Sequence, residues 1–247
     1  EIVNNINDIK HPSVKRCFKE LLNNKDRLEM IHHADLPALS GVGSSSSFTV
    51  GLLNSLYSFK NKTIDKRQLA LKAIEIEQNK IKENVGSQDQ TIAAFGGFNK
   101  INFSSSKKIE VKPISMSLKN INLINNSIVL FFTGFTRNSS EVTKYFLKNI
   151  KNNKKRLTEI QMITNEAYSI FKKKDVDLKK FGFLLNESWK LKRKFSSKVT
   201  NEFIDKIYNK GISKGALGGK LLGAGSGGFI CFLVEPTHKK KFISYFK

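Results

Sequence analysis

The run Gly41-Val42-Gly43-Ser44-Ser45-Ser46-Ser47 holds the chain's densest group of chemistry-bearing residues. It follows Pro37 and leads directly into the apolar stretch Phe48-Thr49-Val50-Gly51-Leu52-Leu53, the order expected of a loop that delivers a helix N-terminus. The glycines permit backbone conformations closed to other residues, and the opening turn of a helix offers unpaired N–H groups at the positive end of its dipole. Such a loop suits a phosphate. Each serine hydroxyl can cap the helix, bond a phosphate oxygen or reach a magnesium ion. Taken alone, the stretch is equally a capped helix after a loop.

Two further features need the same explanation. Asp89 lies in the polar turn Asn84-Val85-Gly86-Ser87-Gln88-Asp89-Gln90, and the preceding helical segment carries Glu75 and Glu77. Late in the chain a second glycine cluster, Gly218-Gly219-Lys220-Leu221-Leu222-Gly223-Ala224-Gly225-Ser226-Gly227-Gly228, precedes the strand-like Phe229-Ile230-Cys231-Phe232-Leu233-Val234. Phosphoryl transfer from a nucleotide accounts for all three, since it needs donors around the phosphates, hard oxygen ligands for magnesium, and a group that orients or deprotonates the acceptor hydroxyl. The Gly-x-x-x-x-Gly-Lys-[Ser/Thr] pattern of P-loop enzymes and the His-Arg-Asp and Asp-Phe-Gly signatures of protein kinases do not occur.

The elements that must position these residues follow from periodicity. Val14, Cys17, Phe18, Leu21 and Leu22 mark an amphipathic helix over 11–24. Residues 27–34 alternate in part and are expected to form a strand entering the glycine loop, with His32 and His33 on opposite faces. Asp65 is placed to cap a helix over 66–82. Strands are expected over 98–103, 109–114 and 127–133, and lysine-rich helices over 139–151, 155–174, 177–195 and 200–209. Pro236 opens a last helix.

The 247 residues, 39% of them hydrophobic, can bury a real core, and no apolar run approaches the roughly 20 residues that span a bilayer. Cys17 and Cys231 are the two cysteines, too few for a disulfide framework and without metal-ligand spacing, which fits packed thiols in a reducing cytoplasm. With 43 Lys plus Arg against 21 Asp plus Glu, the formal charge is +22. The excess is mostly lysine, spread along the whole chain among asparagines and isoleucines, which disfavours a base-reading surface and suits an anionic small molecule.

The motifs resemble those of a known family. Pro37-x-x-x-Gly41-Val42-Gly43-Ser44-Ser45-Ser46-Ser47 is similar to the second motif of the GHMP kinases, and Lys220-Leu221-Leu222-Gly223-Ala224-Gly225-Ser226-Gly227-Gly228-Phe229 to their third. Within the family, Glu75-Ile76-Glu77-Gln78 and Glu83-Asn84-Val85-Gly86-Ser87-Gln88-Asp89-Gln90 most resemble the D-glycero-D-manno-heptose 7-phosphate kinases, which phosphorylate the anomeric hydroxyl of that sugar phosphate on the way to GDP-heptose and bacterial surface polysaccharide. The resemblance implies an α+β fold of two domains, residues 1–115 resembling the second domain of ribosomal protein S5 and residues 116–247 ferredoxin-like. It implies ATP and Mg²⁺ as cofactors, Gly41, Gly43, Ser44, Ser45 and Ser46 on the triphosphate, Ser45 and Glu77 on the metal, and Asp89 as the catalytic aspartate. Gly223, Ala224 and Gly225 fall on the substrate side, where Arg137 could bind the acceptor's phosphate.

The family's first motif, a Pro-Gly-Arg-like strand and turn, has no match, so the N-terminal half is expected to lack its first strands. Two alternatives are carried alongside. One is another kinase of the family, acting on galactose, fucose, homoserine or mevalonate; the other is a non-catalytic nucleotide- or nucleic-acid-binding protein on the same scaffold. A homo-oligomer is left open.

Overall fold

Local sequence and helix ends agree through most of the chain, and a computed structural model describes residues 1–23, 25–36, 40–104, 108–135, 143–144 and 153–247. Pro37, Arg137 and the helix expected over 139–151, apart from residues 143–144, lie outside the described residues. The chain divides into two compact units, one ending at Gly97 and the other beginning at Phe98.

The first unit is helical. Helix α1 (Pro12–Leu21) begins with proline at its first turn, and the His11 imidazole Nδ1 accepts the Val14 N–H at 3.4 Å. Helix α2 (Ser44–Phe59) turns Thr49, Val50, Leu53 and Leu56 inward at helical spacing. Helix α3 (Lys66–Ile74) is capped by Asp65, which accepts the Gln68 N–H at 2.8 Å. It runs on as a π-helical turn, Glu75–Lys80, before helix α4 (Gln88–Phe95). Cys17, Leu53, Ala73 and Ile76 form the fully buried centre. Burial, with Glu77 and Glu20 nearby, pushes the Cys17 thiol up to about 12, so it is a packed thiol.

Two expectations are corrected here. The strand expected over 27–34 is irregular chain, with Ile31 70% exposed, and no strand occurs among the described residues of this unit. Strand propensity holds only where a neighbouring strand takes the backbone hydrogen bonds. His32 instead sets its ring edge-on to Phe48, with centroids 4.8 Å apart. The helix expected over 66–82 changes at Glu75 from α to π geometry, the Ile81 N–H reaching the Ile76 carbonyl at 2.8 Å. Residue propensities do not distinguish these two helices.

The second unit mixes strands and helices. Strands β1 (Asn99–Phe103) and β2 (Ile109–Pro113) pair as an antiparallel hairpin. Just before the hairpin, the Phe98 ring packs edge-on against Phe171 of the same unit, with centroids 4.9 Å apart. Strand β3 (Ile128–Phe132) follows helix α5 (Leu118–Ser127) and joins β4 (Ala216–Leu221) and β5 (Phe229–Val234) in an antiparallel sheet of order β3-β5-β4. Helices α6 (Lys154–Phe171), α7 (Leu178–Arg193), α8 (Glu202–Ser213) and α9 (Lys239–Ser244) also belong to this unit. Trp189, Ile204, Leu221, Ile230, Phe232 and Phe242 are buried around one face of the sheet.

Helix α7 lies directly against β4. A Cβ on Gly182 would fall 2.6 Å from the Leu217 Cβ, and one on Gly218 only 1.9 Å from the Gly182 carbonyl oxygen. Two glycines therefore set the spacing of helix and strand. Gly218→Ala is expected to lower the unfolding free energy by about 3 kcal/mol, the upper end of ordinary overpacking costs. Gly51→Ala, at an exposed position inside α2 with nothing within 4 Å of the added carbon, is expected to raise it by about 0.5–1 kcal/mol. Urea unfolding of both variants checks the pair.

Candidate functional site

Helix α2 starts without a side-chain cap. Its N-cap is Gly43 at φ +75°, a left-handed conformation, and the first bond inside the helix runs from the Ser47 N–H to the Gly43 carbonyl at 2.9 Å. The N–H groups of Ser44, Ser45 and Ser46 have no partner among the described residues, and they stand at the positive end of the helix. Gly41, at φ +80°, makes the preceding bend. Ser44 is half-buried, Ser45 exposed and Ser46 buried; Ser40, just before the glycines, is buried with its hydroxyl unpartnered.

Ser46 points into the unit and meets Glu77. Its hydroxyl donates to Glu77 Oε2 at 2.9 Å, and the Gln90 side-chain amide donates to the same oxygen. Glu77 is 1% exposed, and its other oxygen, Oε1, is buried without a partner. Glu75, two residues earlier, points outward to Lys72 and Lys80. The hydroxyl bonded to Glu77 is thus that of Ser46, while the resemblance implies Ser45 on the metal. A step of one residue turns a helix by about 100°, so neighbouring serines cannot share a direction.

Asp89 occupies the first turn of α4 but is not its cap, a position held by Ser87. The carboxylate accepts no hydrogen bond from the described residues and lies close to the phosphate-type loop: a Cβ on Gly43 would come within 3.2 Å of Asp89 Cβ and Cγ. Desolvation, with Glu77 nearby, raises its pKa above the ordinary aspartate value. That opposes the pull of the helix N-terminus, which by itself would favour the ionised form.

The donor set fits a hard cation. Among the described residues no group of three or more His, Cys, Asp or Glu side chains gathers as a metal cluster. Glu77 nevertheless offers a buried, unpartnered carboxylate oxygen with a serine hydroxyl beside it. Magnesium commonly takes one or two carboxylates and fills its remaining positions with water and phosphate oxygens. Open N–H groups at the start of α2 complement the phosphates of a nucleotide.

The second glycine cluster belongs to the second unit, where Gly223 is exposed, Ala224 half-buried and Gly225 buried. The Ser226 N–H donates to the Val199 carbonyl at 2.8 Å. Lys192, from α7, donates to the carbonyls of Leu221 and Gly223, and Lys220 donates to the Ser188 hydroxyl at 3.1 Å. Burial, and then the charge of Lys220, press Lys192 down to about 7.

The chain is similar to known proteins. The GHMP kinases N terminal domain matches residues 12–97 and the GHMP kinases C terminal domain residues 172–247. The D-glycero-alpha-D-manno-heptose 7-phosphate kinase of Campylobacter jejuni is 31% identical over 239 residues, covering 96% of this chain and 70% of that protein. The chain belongs to the GHMP kinase family. Its α+β fold, with N- and C-terminal domains, is that of this family. The crystal structure of a D-glycero-D-manno-heptose 1-phosphate kinase from Bacteroides thetaiotaomicron superposes with a TM-score of 0.71 at 26% identity, covering 95% of this chain and 66% of that one. A galactokinase from Pyrococcus furiosus is 28% identical over 83% of this chain and 64% of its own length. This GHMP kinase chain therefore spans about two thirds of the length of these relatives.

Sequence reading passed over Gln90, Gln78 and Ser40. A signal for Gln90 was present: with Ala93 and Ala94 it occupies positions three and four apart, so this polar residue sits on the core face of α4. Gln78 donates to the Val85 carbonyl at 3.0 Å and to the Ser87 hydroxyl at 3.2 Å, holding the turn that leads into α4.

Gly43→Ala places a side chain in left-handed backbone and against Asp89. It is expected to cost about 1–2 kcal/mol in thermal or urea unfolding, and an unchanged midpoint would contradict the geometry. Lys192 gives a pH test. Its pKa is about 7 when folded against an ordinary value of 10.5, so between these pH values the unfolded chain binds more protons. Stability should rise with pH across that window. Lys192→Met should flatten the rise, read from urea midpoints at a series of pH values.

Proposed function

We propose that the protein is an ATP-dependent kinase that phosphorylates the anomeric hydroxyl of D-glycero-D-manno-heptose 7-phosphate, giving the 1,7-bisphosphate. The observation that carries phosphoryl transfer is the meeting of Ser46 and Gln90 on one oxygen of Glu77, its other oxygen left open, behind an uncapped helix start with Asp89 at the same loop. The choice of acceptor rests on the Campylobacter relative and on the segments around Glu77 and Asp89, while the Bacteroides heptose 1-phosphate kinase supports a heptose phosphate only as a class.

ATP with Mg²⁺ supplies the phosphoryl group and neutralises its developing charge. The N–H groups of Ser44, Ser45 and Ser46 bind phosphate oxygens, and the bends at Gly41 and Gly43 bring that backbone close. Glu77 and the Ser46 hydroxyl would hold the metal side, with Ser45 as a second candidate hydroxyl. Asp89 orients the acceptor hydroxyl and takes its proton as the new O–P bond forms and the bond to the β-phosphate oxygen breaks. The assignments of Gly223, Ala224, Gly225 and Arg137 to the substrate side rest on the family resemblance.

A second reading draws on the +22 charge: a non-catalytic protein that binds nucleic acid. It requires binding that falls steeply with salt and survives Asp89→Ala. ADP release against heptose 7-phosphate, galactose, fucose, homoserine and mevalonate separates the readings. Heptose 7-phosphate is the expected best acceptor, and a clear preference for galactose or mevalonate would overturn the choice of substrate. Asp89→Asn is expected to lower kcat by about 10²–10⁴-fold while ATP affinity stays within a factor of about two. Near-normal turnover would remove Asp89 from the mechanism.

A further inference from the structure

The bonds around Glu77 are unevenly distributed. Both of its donors, the Ser46 hydroxyl and the Gln90 amide, fall on Oε2, while Oε1 is buried and has none. Buried carboxylate oxygens ordinarily find donors, and leaving one without is costly. The described residues place no lysine or arginine in ion-pair contact with Glu77. One oxygen is therefore anchored and the other reserved for a positive ligand.

Gln90 is suited to be that anchor. It is fully buried, and its only polar partner among the described residues is Glu77. A carboxylate only accepts, so the amide must turn its NH₂ toward it, leaving Gln90 Oε1 as a further unpartnered acceptor. Gln90 also follows Asp89 directly in the first turn of α4, so the bond that holds the glutamate ties it to the helix carrying the aspartate. Gln78 makes the reciprocal connection, from the π-helical turn to Val85 and Ser87 just before α4. Each of the two segments thus sends a glutamine across to the other.

We infer that Gln90 is a positioning residue that pins Glu77 through Oε2, so that Oε1 is presented to the divalent cation while Asp89 is kept in register with it. The inference rests on the kinase reading of the site, because it assigns the open oxygen to a metal that accompanies ATP. Residues that orient metal ligands in this manner typically change metal affinity by about 10–100-fold when replaced.

The test uses Mn²⁺ as the probe, its binding followed by electron paramagnetic resonance with a non-hydrolysable ATP analogue at saturation. Gln90→Met keeps the length of the side chain and removes the donor. Its expected effect is a loss of Mn²⁺ affinity of about 10-fold or more, with metal-free affinity for the analogue within a factor of about two and the circular dichroism spectrum unchanged. A folded Gln90→Met with wild-type Mn²⁺ affinity would overturn the inference. Glu77→Gln separates the two levels: if it too leaves Mn²⁺ affinity unchanged, the assignment of Glu77 to the metal fails, whereas if it alone weakens binding, only the role of Gln90 fails. A crystal structure of the unaltered protein with Mn²⁺ and the analogue decides the matter even if Gln90→Met does not fold. Mn²⁺ on Oε1 with Gln90 still bonded to Oε2 is expected; Mn²⁺ on Oε2, or Gln90 detached from Glu77, would refute the inference.

Discussion

A carboxylate buried in a helical unit and held by two neutral donors is the constraint on which the first unit depends. Glu77 lies in the π-helical turn, Ser46 in the first turn of α2 and Gln90 in the first turn of α4, so one side chain fixes three segments distant in sequence. The arrangement is costly as a fold device, since an apolar residue would bury without penalty and an orphaned acceptor would not arise. The cost is offset where the acceptor has a ligand, and π-helical turns are frequent at functional sites.

Charge is organised differently in the two units. At the loop of the first unit, open backbone N–H groups lie near two carboxylates, a combination that suits an anion carried together with a divalent cation. In the second unit Lys192 and Lys220 are tied to carbonyl and hydroxyl oxygens around the glycine turn, with no carboxylate paired to either among the described residues. Desolvation there lowers the pKa of both lysines. The overall +22 charge is otherwise spread along the whole sequence, and it bears on attraction of anions rather than on either site's geometry.

Much of the fold could be read from local chemistry. Asp65 caps α3 as its position before a helical pattern requires, and the strands expected over 98–103, 109–114 and 127–133 appear as Asn99–Phe103, Ile109–Pro113 and Ile128–Phe132. These features depend on neighbours in sequence. Residues 27–34 did not follow their pattern, because alternation describes which faces a strand would offer and says nothing about whether a partner strand lies alongside. Residue type alone does not rank Ser45 against Ser46, and only the family resemblance put Ser45 on the metal, since four consecutive serines are chemically alike until the direction of α2 decides which one points inward.

By itself the sequence determined the loop, the helix that follows it, the separation of its two glycine clusters, and hence the family. These are properties of residue type and order: glycine where backbone must turn left-handed, short hydroxyls at a helix start, apolar residues at fixed periods. Only the tertiary structure decided which glutamate is buried, which serine meets it, and that Gln90 joins them on a single oxygen. Those facts depend on how helices pack across long sequence separations, where a rotation of one residue exchanges an exposed group for a buried one.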